Sequence, residues 1–169
     1  MKRLFSILFT FIFAISINAQ DYIEISTQTD FSIGGEKVTA INQGVNICFG
    51  HISGIHGFEG KISMGFDIND SLTKYHSFML SYICQFNNNT SIVSPYTKIG
   101  CGIKSYSFDY EYIDEVTGFN MNLSIGLDIK VCERISFIFG LNGSNTIIHG
   151  DFSFENTIIS PEIGLRVKF

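Results

Sequence analysis

Apolar and polar residues alternate without a break from Asn120 to Val131. Met121, Leu123, Ile125, Leu127, Ile129 and Val131 take the odd positions; Asn120, Asn122, Ser124, Gly126, Asp128 and Lys130 take the even ones. A helix turns by roughly 100° per residue and would scatter such a set around its axis, whereas a strand puts it on one face. Ile62, Met64, Phe66 and Ile68 alternate in the same way with Lys61, Ser63, Gly65 and Asp67. So do Ile99, Cys101 and Ile103 with Lys98, Gly100, Gly102 and Lys104, and Ile163, Leu165, Val167 and Phe169 with Glu162, Gly164, Arg166 and Lys168. Four weaker runs complete the set. Ile23, Ile25, Phe31 and Ile33 lie opposite Glu24, Ser26, Gln28 and Asp30. Val45, Ile47 and Phe49 mark a second run, and Phe78, Leu80, Tyr82, Cys84 and Phe86 a fourth, with Met79 and Ile83 on its other face. Ile135, Phe137, Phe139 and Leu141 mark a seventh, with Ile138 opposite. The pattern predicts eight strands.

Polar breakers separate them. Gly34-Gly35, Asn69-Asp70-Ser71, Asn87-Asn88-Asn89 and Asn142-Gly143-Ser144-Asn145 read as turns, and Glu133-Arg134 as a two-residue link. Short links between neighbouring strands imply an antiparallel meander in one domain.

The N-terminus reads as a secretory signal peptide. Lys2 and Arg3 precede a mostly apolar run from Leu4 to Ile17, and Ala19 offers a cleavage site. That run is shorter than the roughly 20 residues of a spanning helix. The expected division is therefore a signal peptide, 1–19, and a β-barrel domain, 20–169. Loss of Lys2 and Arg3 changes 11 basic residues to nine against 16 acidic ones, moving the charge from −5 to −7. An acidic chain lacks the basic face that nucleic acid requires. Cys48, Cys84, Cys101 and Cys132 are widely spaced, with no CxxC and no Cys/His cluster, so a zinc site is not expected. Each falls within a different predicted strand, which favours free thiols, buried or facing lipid, over a disulfide framework.

Alternation fits both a soluble sandwich and a membrane barrel. The polar face decides between them. It carries Gly100, Gly102, Gly126 and Gly164 among its charges, and small residues suit the crowded interior of a narrow barrel. On this reading the apolar face meets lipid. Lys61, Asp67, Lys98, Lys104, Asp128, Lys130, Glu162, Arg166 and Lys168 then point into the lumen, pairing to avoid stranded charge. Tyr75, Tyr96, Tyr106, Tyr110 and Tyr112 fall near strand ends, where an aromatic girdle would lie. Apolar parity shifts near Lys104-Ser105, as a β-bulge would cause.

The signal peptide, the eight alternating segments and the last strand, Ile163 to Phe169, together resemble the small bacterial outer-membrane β-barrel family. Ser94 to Gly102 resembles its Gly-rich mid-barrel strand. The resemblance covers the whole mature chain. It implies an all-β, antiparallel, up-and-down eight-stranded transmembrane barrel in the outer membrane of a Gram-negative bacterium, with both termini on the periplasmic side. It also implies that Ile163, Leu165, Val167 and Phe169 form the signal read by the barrel-assembly machinery. The partners it implies are outer-membrane lipid and lipopolysaccharide.

Chemistry-bearing residues are few. His149, Ser153 and Glu155 faintly resemble the set of lipid A deacylase barrels, but Asp151 breaks that family's His-x-Ser-Asn element. His51 and His56 near Gly54 and Gly57 read as imidazoles around a turn; Asp109, Glu111, Asp114 and Glu115 read as an acidic outer segment. No catalytic, cofactor or metal site is expected. The leading reading is a non-enzymatic protein with a structural or surface-contact role. A lipocalin-like soluble binding barrel and a lipid-modifying enzyme are the alternatives.

Overall fold

In the computed structural model, described for residues 19–34, 37–67, 73–86, 91–110, 113–148 and 154–169, eight strands close into one barrel. They are β1 (Ala19–Gly34), β2 (Lys37–Ser53), β3 (His56–Asp67), β4 (Thr73–Gln85), β5 (Val93–Tyr110), β6 (Ile113–Lys130), β7 (Ile135–Ile148) and β8 (Phe154–Lys168). Every strand pairs antiparallel with its sequence neighbours, and β8 pairs with β1. Closure leaves no strand edge unpaired, which is what backbone groups in lipid require. The start of β1 and the end of β8 lie at one end, with the β2–β3, β4–β5 and β6–β7 connections.

The strands are strongly tilted. Following paired residues once round from Tyr22, through Gly50, Glu59, Ser81, Gly100, Asn122, Ser144 and Ile158, returns to β1 at Ser32. The stagger from residue 22 to residue 32 is ten. A stagger of that size in eight strands goes with a tilt of about 40° and a lumen that side chains can fill.

The eight strands predicted from alternation are all present, and four local expectations are corrected. Asn142 to Asn145 is no turn: β7 runs through it to Ile148, and Asn142 points inward to accept a hydrogen bond from Ser124 at 2.8 Å. The β6–β7 link is Val131 to Arg134, four residues closed by Val131 N–H to Ile135 O at 2.9 Å, so Cys132 lies in a turn and outside any strand. The apolar parity change after Lys104 has no bulge behind it. Lys104 and Tyr106 both point inward in unbroken register with β4, and the register irregularity lies further on, between Ser107 and Tyr110. The fourth correction concerns the tyrosines, described below. The β2–β3 turn is tight, with Gly54 at φ 65°, a conformation glycine adopts without strain.

Candidate functional site

The two faces of the barrel are chemically inverted relative to a soluble protein. Ile25, Phe49, Phe58, Leu80, Ile99, Leu123, Ile125, Ile163 and Leu165 are among more than thirty large apolar side chains exposed on the outside. Polar outward residues among them satisfy one another: Gln43 donates to Thr27 Oγ1 at 2.9 Å, and Thr29 donates to Gln43 Oε1 at 3.1 Å. The inside is charged. Glu24, Asp30, Glu59, Asp128 and Glu162 are buried there with Lys61, Lys98, Lys104, Arg166 and Lys168. That is five carboxylates against five cations among the described residues. A lipocalin-like ligand barrel needs the reverse arrangement, apolar within and polar without.

Arg166 is the hub at the end of the lumen near the termini. Its guanidinium gives two hydrogen bonds to Glu24 Oε2, at 3.0 and 2.6 Å, and one to Asp128 Oδ2 at 2.9 Å. Lys168 reaches the same Asp128 oxygen at 3.0 Å. Lys98 bonds both oxygens of Glu59, at 2.9 and 2.8 Å, and lies 3.8 Å from Glu24. Tyr22 donates to Glu59 at 2.5 Å, and its ring lies under the Arg166 guanidinium, 4.1 Å away. Every ion of this cluster therefore has an opposite charge beside it, the condition under which burial of charge is tolerated. Midway along, Lys61 meets Glu162 at 3.3 Å, and Glu162 also accepts from Ser26 and from Asn46 at 2.9 Å. Further on, Asp30 accepts from Gln28 at 2.7 Å and Ser160 at 2.5 Å.

The strand-end tyrosines are inside, not in a girdle. Tyr75, Tyr96 and Tyr106 are each 3% exposed, and Tyr22 joins them at 2%. Three of these rings are seated on glycines directly across a strand pair. Tyr22 lies over Gly50, Tyr75 over Gly65 and Tyr96 over Gly126. A Cβ at Gly65 would stand 1.9 Å from the Tyr75 ring, and one at Gly50 would stand 2.1 Å from Tyr22. Gly50, Gly65 and Gly126 are therefore seats for tyrosine rings, a covering of bare backbone by an aromatic neighbour. Tyr82, by contrast, is outside near the terminal end, where it bonds His56 and packs edge-on against Phe58. The side chains of Tyr110 and Tyr112 lie outside the described residues.

Of the nine lysine, arginine and acidic residues expected in the lumen, seven are buried there. Lys130 is half-buried at the rim, and the Asp67 side chain lies outside the described residues. Glu24 and Glu59 were not in that set, yet they hold the central cations. Glu24 shares the polar parity of its strand, and Glu59 sits at inward spacing two residues before Lys61.

His51 and His56 do not converge: His51 Nδ1 lies 2.7 Å from Asp21 on the outer face, while His56 turns to Tyr82. Glu24, Cys48 and Glu59 bring ligand atoms within 4.8 Å of one another. Lys98 and Arg166 already neutralise both carboxylates, so no charge is left there for a cation to balance. All four cysteines are free: Cys48 is buried in the lumen, Cys84 half-buried, and Cys101 and Cys132 exposed. Ile163, Leu165 and Phe169 point outward on β8, and Val167 is half-buried beside them. The side chains of His149, Ser153 and Glu155, and of Asp109, Glu111, Asp114 and Glu115, lie outside the described residues.

Neither a protein-family model nor a curated protein matches the chain. Solved structures do. Neisserial surface protein A (NspA) superposes with a TM-score of 0.75 at 18% identity, covering 88% of this chain and 97% of that one. Ail, the attachment invasion locus protein of Yersinia pestis, gives a TM-score of 0.58 at 15% identity over 90% of this chain and all of its own. The N-terminal β-barrel domain of Pseudomonas aeruginosa OprF gives 0.54 at 14% identity, over 88% of this chain and 98% of that one. At such identities the likeness speaks for the fold, and the chain has the fold of the small eight-stranded outer-membrane β-barrels.

Proposed function

We propose that this chain is a non-enzymatic protein of a Gram-negative outer membrane, with a structural or surface-contact role exerted at the barrel end away from the termini. One observation carries the reading: the apolar belt is outside and the charged, ion-paired layer is inside. An apolar exterior of this extent is costly in water and favourable in lipid. The lumen is crossed by the Arg166–Glu24–Lys98–Glu59 pairs, so the barrel acts as a stake in the membrane and not as a channel. Contact function then falls to the connections opposite the termini. Two proteins of the same fold carry names that speak of a surface protein and of attachment and invasion, which supports this choice.

Cell fractionation tests the location. The protein should enter the outer-membrane fraction, need detergent for release, and migrate differently in gels before and after heating. A protein that stays soluble without detergent overturns the reading. The role is tested by comparing cells with and without the gene for binding to surfaces. Unchanged binding together with an unchanged envelope removes it.

The outward stripe of Ile163, Leu165 and Phe169, with Val167, supports its reading as the assembly signal. Phe169→Ala should lower the yield of heat-modifiable barrel in cells while leaving refolding in detergent intact. Equal yields in cells would remove that role.

A further inference from the structure

Lys104 is the one lumen cation, among the described residues, that the ion-pair network leaves out. It is 3% exposed. Its Nζ lies 3.8 Å from the centroid of the Tyr75 ring and 5.1 Å from that of Tyr106. Among the described residues no carboxylate lies within ion-pair distance and no acceptor within hydrogen-bond distance; Asp30, whose Oδ2 has no hydrogen-bond partner, acts on it only through space. Ring faces attract a desolvated ammonium, but they satisfy none of its three N–H groups geometrically. Beside it lies a small cavity of about 20 Å³. Its wall includes Lys104, Lys61, Ser63, Ser77, Asn120 and Asn122. Two ammonium groups line this space; Lys61 is already paired with Glu162, which leaves Lys104 as the wall charge without an ion pair. Asn122 Oδ1 is an acceptor left open on the wall, and its NH2 is held by Asn142 Oδ1 at 3.4 Å.

We propose that this cavity binds a small monovalent anion, chloride where chloride is the medium. The Lys104 ammonium, which has no ion pair, calls for a negative occupant. The volume admits one particle near the size of a water molecule and excludes tetrahedral oxyanions such as phosphate or sulfate. Lys104 supplies the charge and the open donors; the hydroxyls of Ser63 and Ser77 supply neutral ones. The bound ion would fix the lysine between its two rings and complete the polar filling of the barrel's outer half.

Bromide in place of chloride makes the occupant visible. Crystals of the purified protein grown in bromide should give an anomalous peak within hydrogen-bond distance of Lys104 Nζ. The same crystals of Lys104→Met should lack it. Chlorine NMR of the refolded wild-type protein in micelles gives a reading that needs no variant: excess chloride line broadening that bromide competes away. Wild-type crystals with no anomalous peak at Lys104, and only water density there, overturn the proposal. So does a peak that persists in Lys104→Met, or broadening that bromide does not relieve.

Discussion

Replacing Arg166 with Met removes the charge of the hub and keeps most of its length. Three hydrogen bonds of 2.6 to 3.0 Å disappear with it. Glu24 is then left with Lys98 at 3.8 Å as its remaining cation, and Asp128 with Lys168 at 3.0 Å. The lumen then carries one surplus negative charge among buried side chains. Breaking a buried pair by removing one partner costs about 3–5 kcal/mol, mostly from the charge left behind. Urea slopes of small proteins run at about 1–3 kcal/mol per molar, so the unfolding midpoint should fall by roughly 2 M. The assay is urea titration of the barrel refolded in micelles, read as the fraction that keeps its unheated gel mobility. The double variant Arg166→Met/Glu24→Gln removes the surplus charge and should regain part of the loss, with a coupling of about 0.5–3 kcal/mol. A single variant that loses less than about 1 kcal/mol, or a double variant whose losses simply add, would show that these ions are hydrated in solution and that the network is not the packing of the lumen.

Three further outcomes follow from the same geometry. Gly65→Ala drives a methyl group into the Tyr75 ring and should cost about 1–3 kcal/mol in the same titration, whereas Gly60→Ala, whose added carbon meets nothing nearer than Leu80 at 3.8 Å, should stay within about 0.5 kcal/mol; equal effects would dismiss the tyrosine seats. A water-soluble maleimide should label Cys132 quickly and Cys48 only after denaturation, by intact mass; equally fast labelling of Cys48 would mean an open lumen. Planar lipid bilayers holding the protein should show no stable unitary conductance, and regular steps would contradict the crossing ion pairs.

How much of this was legible beforehand follows from what each side chain meets. The apolar stripes could be read because lipid asks only that a face be greasy, and alternation reports that directly. Residues 120–129 and 162–168 therefore read correctly, down to the inward Asp128, Glu162, Arg166 and Lys168. The tyrosines could not. Tyr75, Tyr96 and Tyr106 suit a lumen as well as a girdle, and only cross-strand register reveals that Gly65 and Gly126 leave room for two of them. Asn142 to Asn145 read as a turn because its residues are small and polar. Inside a narrow barrel the same properties suit a strand, since Asn142 there bonds across to Ser124. Glu59 escaped notice because Gly57 and Gly60 interrupt the alternation around it. The partnerships within the lumen join residues up to 142 positions apart, as for Glu24 and Arg166, and no local pattern encodes them.

The charges of β8 have a consequence for the order in which the barrel can be completed. Without that strand, the inner face holds Glu24, Asp30, Glu59 and Asp128 against Lys61, Lys98 and Lys104 among the described residues. Four acids then face three bases, and Glu24 and Asp128 lack the arginine that joins them. The final strand brings Arg166, Lys168 and Glu162, and only then do the lumen charges of the described residues balance. A seven-stranded intermediate is thus penalised twice, by an open edge and by unbalanced ions. The same docking event removes both penalties, so closure behaves as a checkpoint: a chain truncated before β8 has little to gain from entering the membrane at all.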